Sequence, residues 1–320
     1  MPTLNRLRAL VQLVETFGED SSTLNEICAI FKATGIEIDA IPSIPTDMFM
    51  NRLLFSPEQA SRLCDALPEA DRVARRIDSP WLSVILRGDA LWPEIVDIEP
   101  RAMMPWLTVL GDASVLSAPA VGVVGSRQAT GRRVEITADM VRGLVSRGMV
   151  IVSGGARGID TAAHRAALDH GGRTIVVLAQ GLGTFPVPSH WWPLIERGQL
   201  IVVSEFSPAD GWDSHRALQR NSTIVRLSVA LLVIQAGEMS GTLNAGRSAL
   251  RLKRPLFVVT HPNSNFERFA GNDRLIAAGG VPLNVPSVGV LPPSVLDMVA
   301  GADVEPAQEH GHSVGQMRLL

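Results

Sequence analysis

Residues 120–260 decide the fold, and they open with Ala120-Val-Gly-Val-Val-Gly-Ser-Arg127, an apolar run that ends in a glycine-rich turn. The same pattern returns in Val150-Ile-Val-Ser-Gly-Gly-Ala-Arg-Gly-Ile-Asp160, and again before Ser240-Gly-Thr-Leu243. Each turn follows an apolar run and precedes a segment with helical spacing. Such a strand–turn–helix unit presents backbone N–H groups and the positive end of a helix, which suit a phosphate group. The three turns therefore predict a phosphorylated ligand.

Apolar runs and helical segments alternate along this whole stretch. Strands are expected near residues 120–125, 149–153, 173–179, 200–204, 229–235 and 255–260. Helices are expected near residues 130–147, 159–170, 189–197, 216–227 and 241–252. The strands are nearly continuous in Val, Ile and Leu, as in a parallel sheet covered on both faces. The pattern predicts an α/β fold with a Rossmann-like, doubly wound, mostly parallel sheet, and a ligand at the carboxyl ends of the strands.

The rest of the chain divides around this sheet. Residues 1–80 show helical spacing, with Ser56-Pro57 as a helix start, and are expected to form a small helical N-terminal region of unassigned role. Residues 81–119 hold two short apolar runs and are expected to be a lead-in packed on the main domain. The Rossmann-like domain is then assigned to residues 120–283, and residues 284–320 to an irregular, disordered tail.

Composition narrows the class of protein. The chain has a net charge of −3 and two cysteines without metal-binding spacing. No run of 18 apolar residues and no signal peptide is found, so a cytoplasmic protein without membrane contact is expected. Positive charge is concentrated in residues 121–260, where 16 Lys and Arg face 9 Asp and Glu. A bias toward arginine codons accounts for the arginine excess, but not for this clustering.

Two common nucleotide-binding motifs are absent. The spacing of Gly122, Gly125 and Gly131 does not fit the dinucleotide fingerprint, and no acidic residue follows the second strand to hold a ribose. No Gly-x4-Gly-Lys-Ser/Thr loop occurs, which excludes a P-loop ATPase. We expect no cofactor, no metal and no catalytic residue.

The candidate phosphate ligands lie in and between the turns. They are Ser126 and Arg127 in the first turn, and Ser153, Gly154, Gly155, Arg157 and Gly158 in the second. Arg220 and Asn221 precede the strand near 229–235, and Ser240, Gly241 and Thr242 form the third turn. Each of these residues has an alternative role, as a tight turn or as part of a solvent-facing helix.

Other polar and aromatic residues favour structural roles. Asp160 and His164 share a helical face, and we interpret them as a hydrogen-bonded pair that braces the second turn, in preference to an acid–base pair. Trp191, Trp192 and Trp212 could stack on bases, but packing is the preferred interpretation.

These motifs, in this order, resemble the DNA-processing protein A family, also called DprA or Smf. The similarity covers residues 80–283. It includes the three turns, Ala163-His164, Ser204-Glu205, Arg220-Asn221, Leu227-Ser228, Arg254-Pro255 and Gly271-Asn272. One departure is Ser222, where the family usually has a second basic residue after the Arg-Asn pair.

The resemblance implies a non-enzymatic protein that binds single-stranded DNA. It also implies a homodimer that shields single strands during transformation and assists loading of the RecA recombinase. Two alternatives stay open. One is a sensor of a signalling nucleotide in the same pocket. The other is a nucleotide N-glycosidase of the lysine-decarboxylase-like group, which Leu243 and Asn244 disfavour because no catalytic glutamate follows Gly241-Thr242.

Overall fold

One nine-stranded sheet organises the protein. The structure is a computed structural model that describes residues 2–99, 103–129, 131–260, 269–285 and 293–302. The strands are β1 (Leu82–Leu86), β2 (Trp106–Leu110), β3 (Ala120–Gly125), β4 (Val150–Ser153), β5 (Thr174–Val177), β6 (Leu200–Ser204), β7 (Ala230–Gln235), β8 (Leu256–Thr260) and β9 (Val281–Asn284). They lie in the order β1-β2-β6-β5-β4-β3-β7-β8-β9.

Twelve α-helices accompany the sheet in the described ranges. They are α1 (Pro2–Phe17), α2 (Ser21–Thr34), α3 (Thr46–Leu53), α4 (Pro57–Asp65), α5 (Leu67–Arg76), α6 (Arg132–Val145), α7 (Ile159–Asp169), α8 (Trp192–Glu196), α9 (Ser214–Arg226), α10 (Gly241–Arg251), α11 (Ala270–Ala277) and α12 (Pro293–Ala300).

The predicted fold class is confirmed. Strands β3 to β9 pair in parallel, and helices cover both faces of this part of the sheet. On one face, α6 and α7 pack through Ile136 and Ile159 on β3 and β4. On the other face, α9 and α10 pack through Ile224 and Leu243. Alternate residues of each strand enter opposite cores, which is why the strands are apolar on both sides.

The segment 81–119 extends the sheet itself. Strands β1 and β2 form an antiparallel pair, and β2 pairs antiparallel with β6 through Thr108 and Ser204. The two short apolar runs of the sequence are therefore strands at one end of the same sheet. Strand β9, at the opposite end, had no counterpart among the expected strands because its residues alternate weakly.

The N-terminal helical region is also confirmed. Helix α4 begins as expected, with Ser56 accepting a hydrogen bond from the Gln59 N–H in a capping box. Helices α1 to α5 share one core with the sheet, in which Leu10 and Phe31 join Trp106 and Val202. In the region predicted as an irregular tail, α12 packs on α6. Residues 286–292 and 303–320 of that region lie outside the described residues.

The strand order reverses between β3 and β7. Loops that leave neighbouring strands in opposite directions open a crevice at the carboxyl ends of those strands. Here the loops are the first and the third glycine-rich turns, so the fold places them on either side of the crevice.

Candidate nucleic-acid interface

A cleft of about 460 Å³ lies at this reversal of strand order. It is bounded by the first turn, the third turn and the beginning of α9. Seven of the predicted ligand residues line it: Ser126, Arg127, Arg220, Asn221, Ser240, Gly241 and Thr242. The structure thus brings together residues that lie more than a hundred positions apart in the sequence.

The third turn directs the N-terminus of a helix at the cleft. Ser240 caps α10, with its Oγ accepting from the Leu243 N–H at 3.1 Å and donating to the Gly237 carbonyl at 3.0 Å. The Asn221 amide donates to the Gly241 carbonyl at 2.9 Å, which fixes the turn against α9. The partial positive charge at this end of the 11-residue helix favours an anion in the cleft.

The first turn contributes a hydroxyl and an exposed positive charge. The Ser126 Oγ accepts from the Gln128 N–H at 3.1 Å, and the Ser126 carbonyl accepts from the Ile159 N–H at 3.2 Å. The backbone of this turn is therefore anchored on α7. The Arg127 side chain is exposed and lines the cleft.

The second turn lies beside and below the cleft and reaches its lining through Ala156 and Asp160. Its members Ser153, Gly154, Gly155, Arg157 and Gly158 do not border the cleft. The buried Ser153 hydroxyl donates to the Val123 carbonyl at 2.6 Å, and Arg157 is exposed. A methyl group on Gly158 would lie 2.2 Å from the Ser126 carbonyl oxygen. The glycine there permits contact between two turns of the protein itself, at a φ of +82°.

Arg220 forms the floor of the cleft. Its side chain is only 6% exposed, and its Nη1 donates to the carbonyls of Gly154 and Val177, each at 2.6 Å. Burial lowers the pKa of this guanidinium, the Asp160 carboxylate opposes that shift, and the charge of Arg127 adds to it. A methyl group on Gly154 would lie 2.2 Å from Nη1, so this glycine makes room for the arginine.

Asp160 joins the first two turns from below. Its buried carboxylate accepts hydrogen bonds from the backbone N–H groups of Ala156, Gly154 and Gly125. Burial raises the pKa of Asp160, while Arg220 and these hydrogen bonds oppose the shift. The sequence predicted that Asp160 braces the second turn, and in the structure backbone N–H groups are the partners through which it does so.

The predicted hydrogen bond between Asp160 and His164 is wrong. The His164 Nδ1 lies 2.7 Å from the Thr174 Oγ1, which itself donates to the Ile151 carbonyl. The Thr174 oxygen therefore accepts from Nδ1–H. Burial, and then the positive charge of Arg220, lower the pKa of His164 to about 3, so the imidazole is neutral. Helical spacing placed the two residues on one face, but it did not show that strand β5 offers His164 a closer partner.

The three tryptophans have different surroundings. Trp191 and Trp192 are half-buried against the core shared with the N-terminal helices, as expected. Trp212 is 57% exposed and lines the cleft beside Leu218, which is 44% exposed. The sequence held a signal for this difference. Trp212 precedes Asp213, which caps α9 by accepting from the Arg216 N–H at 2.7 Å, so Trp212 lies just outside the helix.

The described ranges hold neither a metal-binding cluster nor a helix suited to spanning a membrane. No group of three or more His, Cys, Asp or Glu side chains is arranged to hold a metal ion in that part of the chain. None of the helices found there combines the length and the apolar character that crossing a bilayer requires.

The geometry agrees with a family-level match. The model of the family described as DNA recombination-mediator protein A matches residues 83–286, which include the cleft and all nine strands except the first residue of β1. The chain belongs to the DNA recombination-mediator protein A family.

Relatives in this family cover part of the chain. A Mycobacterium tuberculosis protein that carries the DprA name is 39% identical over 145 residues, which are 45% of this chain and 37% of that protein. DprA from Streptococcus pneumoniae is 35% identical over 150 residues, 47% of this chain and 53% of the relative. The chain thus spans about half of these relatives or less.

Solved structures of the family share the fold. The X-ray structure of DprA from Streptococcus pneumoniae superposes with a TM-score of 0.69, covering 92% of this chain and 97% of that one at 24% identity. A structure of DprA from Helicobacter pylori, solved for its single-stranded DNA binding mode, gives a TM-score of 0.55 at 26% identity, and covers 69% of this chain and 97% of that one.

Proposed function

We propose that this protein binds single-stranded DNA in the cleft and does not act on it chemically. One observation carries the proposal: two guanidinium groups, from Arg127 and Arg220, share a cleft with the N-terminus of α10 and the exposed ring of Trp212. Phosphate and base are the two parts of DNA that these groups complement.

The charge balance of the cleft supports a phosphate ligand. Burial lowers the pKa of Arg220, and the nearby positive charge of Arg127 adds to this shift. The carboxylate that lines the cleft, Asp160, is buried beneath the turns and engaged with backbone N–H groups. An anion between the guanidinium groups would relieve their repulsion and gain charge-assisted hydrogen bonds.

Trp212 and Leu218 support DNA over a small phosphate ester. Their exposed apolar surfaces border the same cleft. A base stacked on an aromatic ring contributes about 1–3 kcal/mol, irrespective of its identity. The cleft therefore suits a strand whose phosphates contact the arginines while one base covers Trp212.

Among the described residues that line the cleft, no carboxylate or imidazole is placed to act as an acid or a base, which supports a binding role. Asp160 is buried, and the neutral His164 hydrogen-bonds to Thr174 and does not line the cleft. Leu243 and Asn244 occupy the positions after Gly241-Thr242. General acid–base catalysis requires a titratable group within reach of the substrate, which disfavours the N-glycosidase alternative.

Further roles rest on family membership. We infer that the protein shields single strands in recombination or transformation, assists loading of RecA, acts as a homodimer and works in the cytoplasm. The division into residues 1–80, 81–119, 120–283 and 284–320 likewise stays a prediction. The second-turn residues Ser153, Gly154, Gly155, Arg157 and Gly158 support the cleft from below in this proposal.

The proposal is tested by titrating oligo-dT at two salt concentrations against the parent and Arg127→Ala. The variant should bind about tenfold more weakly, since a hydrogen bond to a charged group contributes about 1.5–3 kcal/mol. Its salt slope should fall by about 0.7 for one lost phosphate contact. Arg165→Ala, an exposed residue of α7 outside the cleft, serves as the control and should bind like the parent.

Equal binding by Arg127→Ala and the parent at both salt concentrations would overturn the proposal. Tighter binding of a mononucleotide than of oligo-dT, measured by calorimetry, would instead favour the nucleotide-sensor alternative.

A further inference from the structure

The Arg216 guanidinium contacts residues on both sides of Trp212 in the loop of residues 210–213, here called the Trp212 loop. Its Nη1 donates to the Gly211 carbonyl at 3.1 Å and to the Asp213 carboxylate at 2.6 Å. Its Nη2 lies 3.6 Å from a carboxylate oxygen of Asp210. The guanidinium therefore contacts the residues immediately before and after Trp212, although Arg216 itself is in the first turn of α9.

The fourth partner of Arg216 belongs to the N-terminal helical region. The Glu19 carboxylate, between α1 and α2, accepts from Nη2 at 2.6 Å across 197 residues of sequence. Next to this ion pair, Ala209 packs on Val11, Ala70 and Val73 of α1 and α5. The start of the Trp212 loop thus rests on the helical region, and Arg216 links its end to the same region.

The loop depends on this arginine for its conformation. Asp210 is anchored independently, because its carbonyl accepts from the Gly181 N–H at 2.9 Å and from the Thr184 hydroxyl at 2.6 Å. Trp212 is mostly exposed and gains little from packing. Through its contacts with Asp210 and Asp213, Arg216 connects the anchored end of the loop to the start of α9. The exposed Trp212 lies between these two contacts.

The charges around Arg216 explain why Glu19 matters. The carboxylates of Asp210, Asp213 and Glu19 lie next to this one arginine, and the charge of Glu15 also acts on Asp210. Burial, followed by the charge of Glu19, raises the pKa of Asp210 to about 6, and Arg216 opposes the shift. Arg216 thus compensates several negative charges at once, and Glu19 is the partner that comes from outside the loop and α9.

We propose that Arg216 is a positioning residue through which Glu19 of the N-terminal helical region holds Trp212 in the cleft, so that residues 1–80 determine how strongly the protein binds the base part of DNA. The inference rests on the proposed function of the cleft. It assigns a role to a region that the sequence left without one.

The test uses the full chain and compares Glu19→Ala with Glu19→Gln. Each is titrated with oligo-dT and with an abasic deoxyribose-phosphate oligomer of equal length. Acrylamide quenching of Trp212, taken as the difference from Trp212→Phe in each background, is measured without DNA. Glu26→Ala, on the exposed side of α2, is the control.

Glu19→Ala should raise the Kd for oligo-dT three- to tenfold, leave the Kd for the abasic oligomer unchanged and alter the quenching of Trp212. Glu19→Gln keeps a hydrogen-bond acceptor for Arg216 and should recover part of the loss. The control should match the parent in all three measurements.

Unchanged oligo-dT binding and unchanged Trp212 quenching in Glu19→Ala would overturn the inference. Equal weakening of oligo-dT and abasic binding would overturn it too, because the effect would then lie in the phosphate contacts or the fold. Failure of the parent itself to bind oligo-dT would count against the proposed function instead, and the quenching measurement would still decide whether Glu19 positions Trp212.

Discussion

The second glycine-rich turn and the third look alike in sequence but have opposite surroundings. Gly154 and Gly158 of the second turn contact groups of the protein, the Arg220 guanidinium and the Ser126 carbonyl. Gly241 of the third turn is exposed at the cleft, and a methyl group there would meet only the Asn221 amide at an ordinary 3.6 Å. Glycine in the second turn therefore serves packing, while glycine in the third leaves the N-terminus of a helix open to a ligand.

This difference shows how a cleft for anions is built in two layers. The second turn supplies carbonyl oxygens that hold Arg220 in place, and Asp160 holds the backbone of that turn. The first and third turns then expose Arg127 and the start of α10 above this layer. Some of the residues that the sequence predicts as phosphate-binding thus support the binding residues and do not line the cleft themselves.

Alanine substitutions at Gly154 and at Gly241 should separate these two roles. The largest effect, a loss of stability, is expected at Gly154. Gly154→Ala places a methyl group against the buried Arg220 guanidinium, which cannot move aside without giving up its hydrogen bonds to the Gly154 and Val177 carbonyls. We expect a loss of about 3 kcal/mol in the free energy of unfolding, at the upper end of overpacking effects. Urea unfolding measures it.

Gly241→Ala is the matched change in the other turn. It introduces no close contact, so the free energy of unfolding should stay within about 1 kcal/mol of the parent. Its oligo-dT affinity should still fall, because the methyl group hinders the approach of a phosphate to the helix N-terminus. Comparable losses of stability in both variants would contradict the two-layer description.

Much of this fold was predictable from the sequence. The strands β3 to β8 are apolar runs that alternate with helices, so the sequence indicated a parallel sheet with the turns at its carboxyl ends, although not the order of the strands. The antiparallel strands β1 and β2 were harder to predict. The pairing of β2 with β6 depends on contacts between residues about 96 positions apart, such as Thr108 and Ser204, and short apolar runs do not specify such partners.

The next largest effect is on oligo-dT binding, and it distinguishes the arginine of the first turn from that of the second. Arg127 lines the cleft, whereas Arg157 is exposed outside it. Arg157→Ala should therefore weaken oligo-dT binding less than threefold, against about tenfold for Arg127→Ala, because an exposed charge away from the cleft acts through a screened field. Titrations of both variants at two salt concentrations check the ranking. Equal losses would place the second turn in direct contact with DNA.

The site was less predictable than the fold. The sequence identified the arginines, but not that Arg220 is buried and Arg127 exposed, because this depends on how α9 packs over β5 and the second turn. It assigned Trp212 to packing like Trp191 and Trp192, although the position of Trp212 just before the helix cap Asp213 sets it apart. It paired His164 with the wrong partner because Thr174 lies on strand β5, and helical spacing relates only residues within α7.

The smallest effect concerns Ser222, the departure from the family pattern noted in the sequence analysis. Ser222 is half-buried on α9 and does not line the cleft, unlike its neighbours Arg220 and Asn221. Ser222→Arg should therefore tighten oligo-dT binding only two- to threefold at low salt, and the gain should vanish at high salt because the new charge is screened. A tenfold gain that persists in salt would show that this position belongs to the binding surface after all.

The core that α1 to α5 share with the sheet has a practical consequence for dissecting the protein. Leu10, Phe31 and Trp106 lie in one continuous apolar cluster, with Val176 and Val202 of the central strands. A fragment that starts at residue 81 would leave this face of β2, β5 and β6 in water, at a cost of about 25 cal/mol for each Å² uncovered. We expect such a fragment to aggregate, so point substitutions such as those at Glu19 are the sound way to study the N-terminal helices.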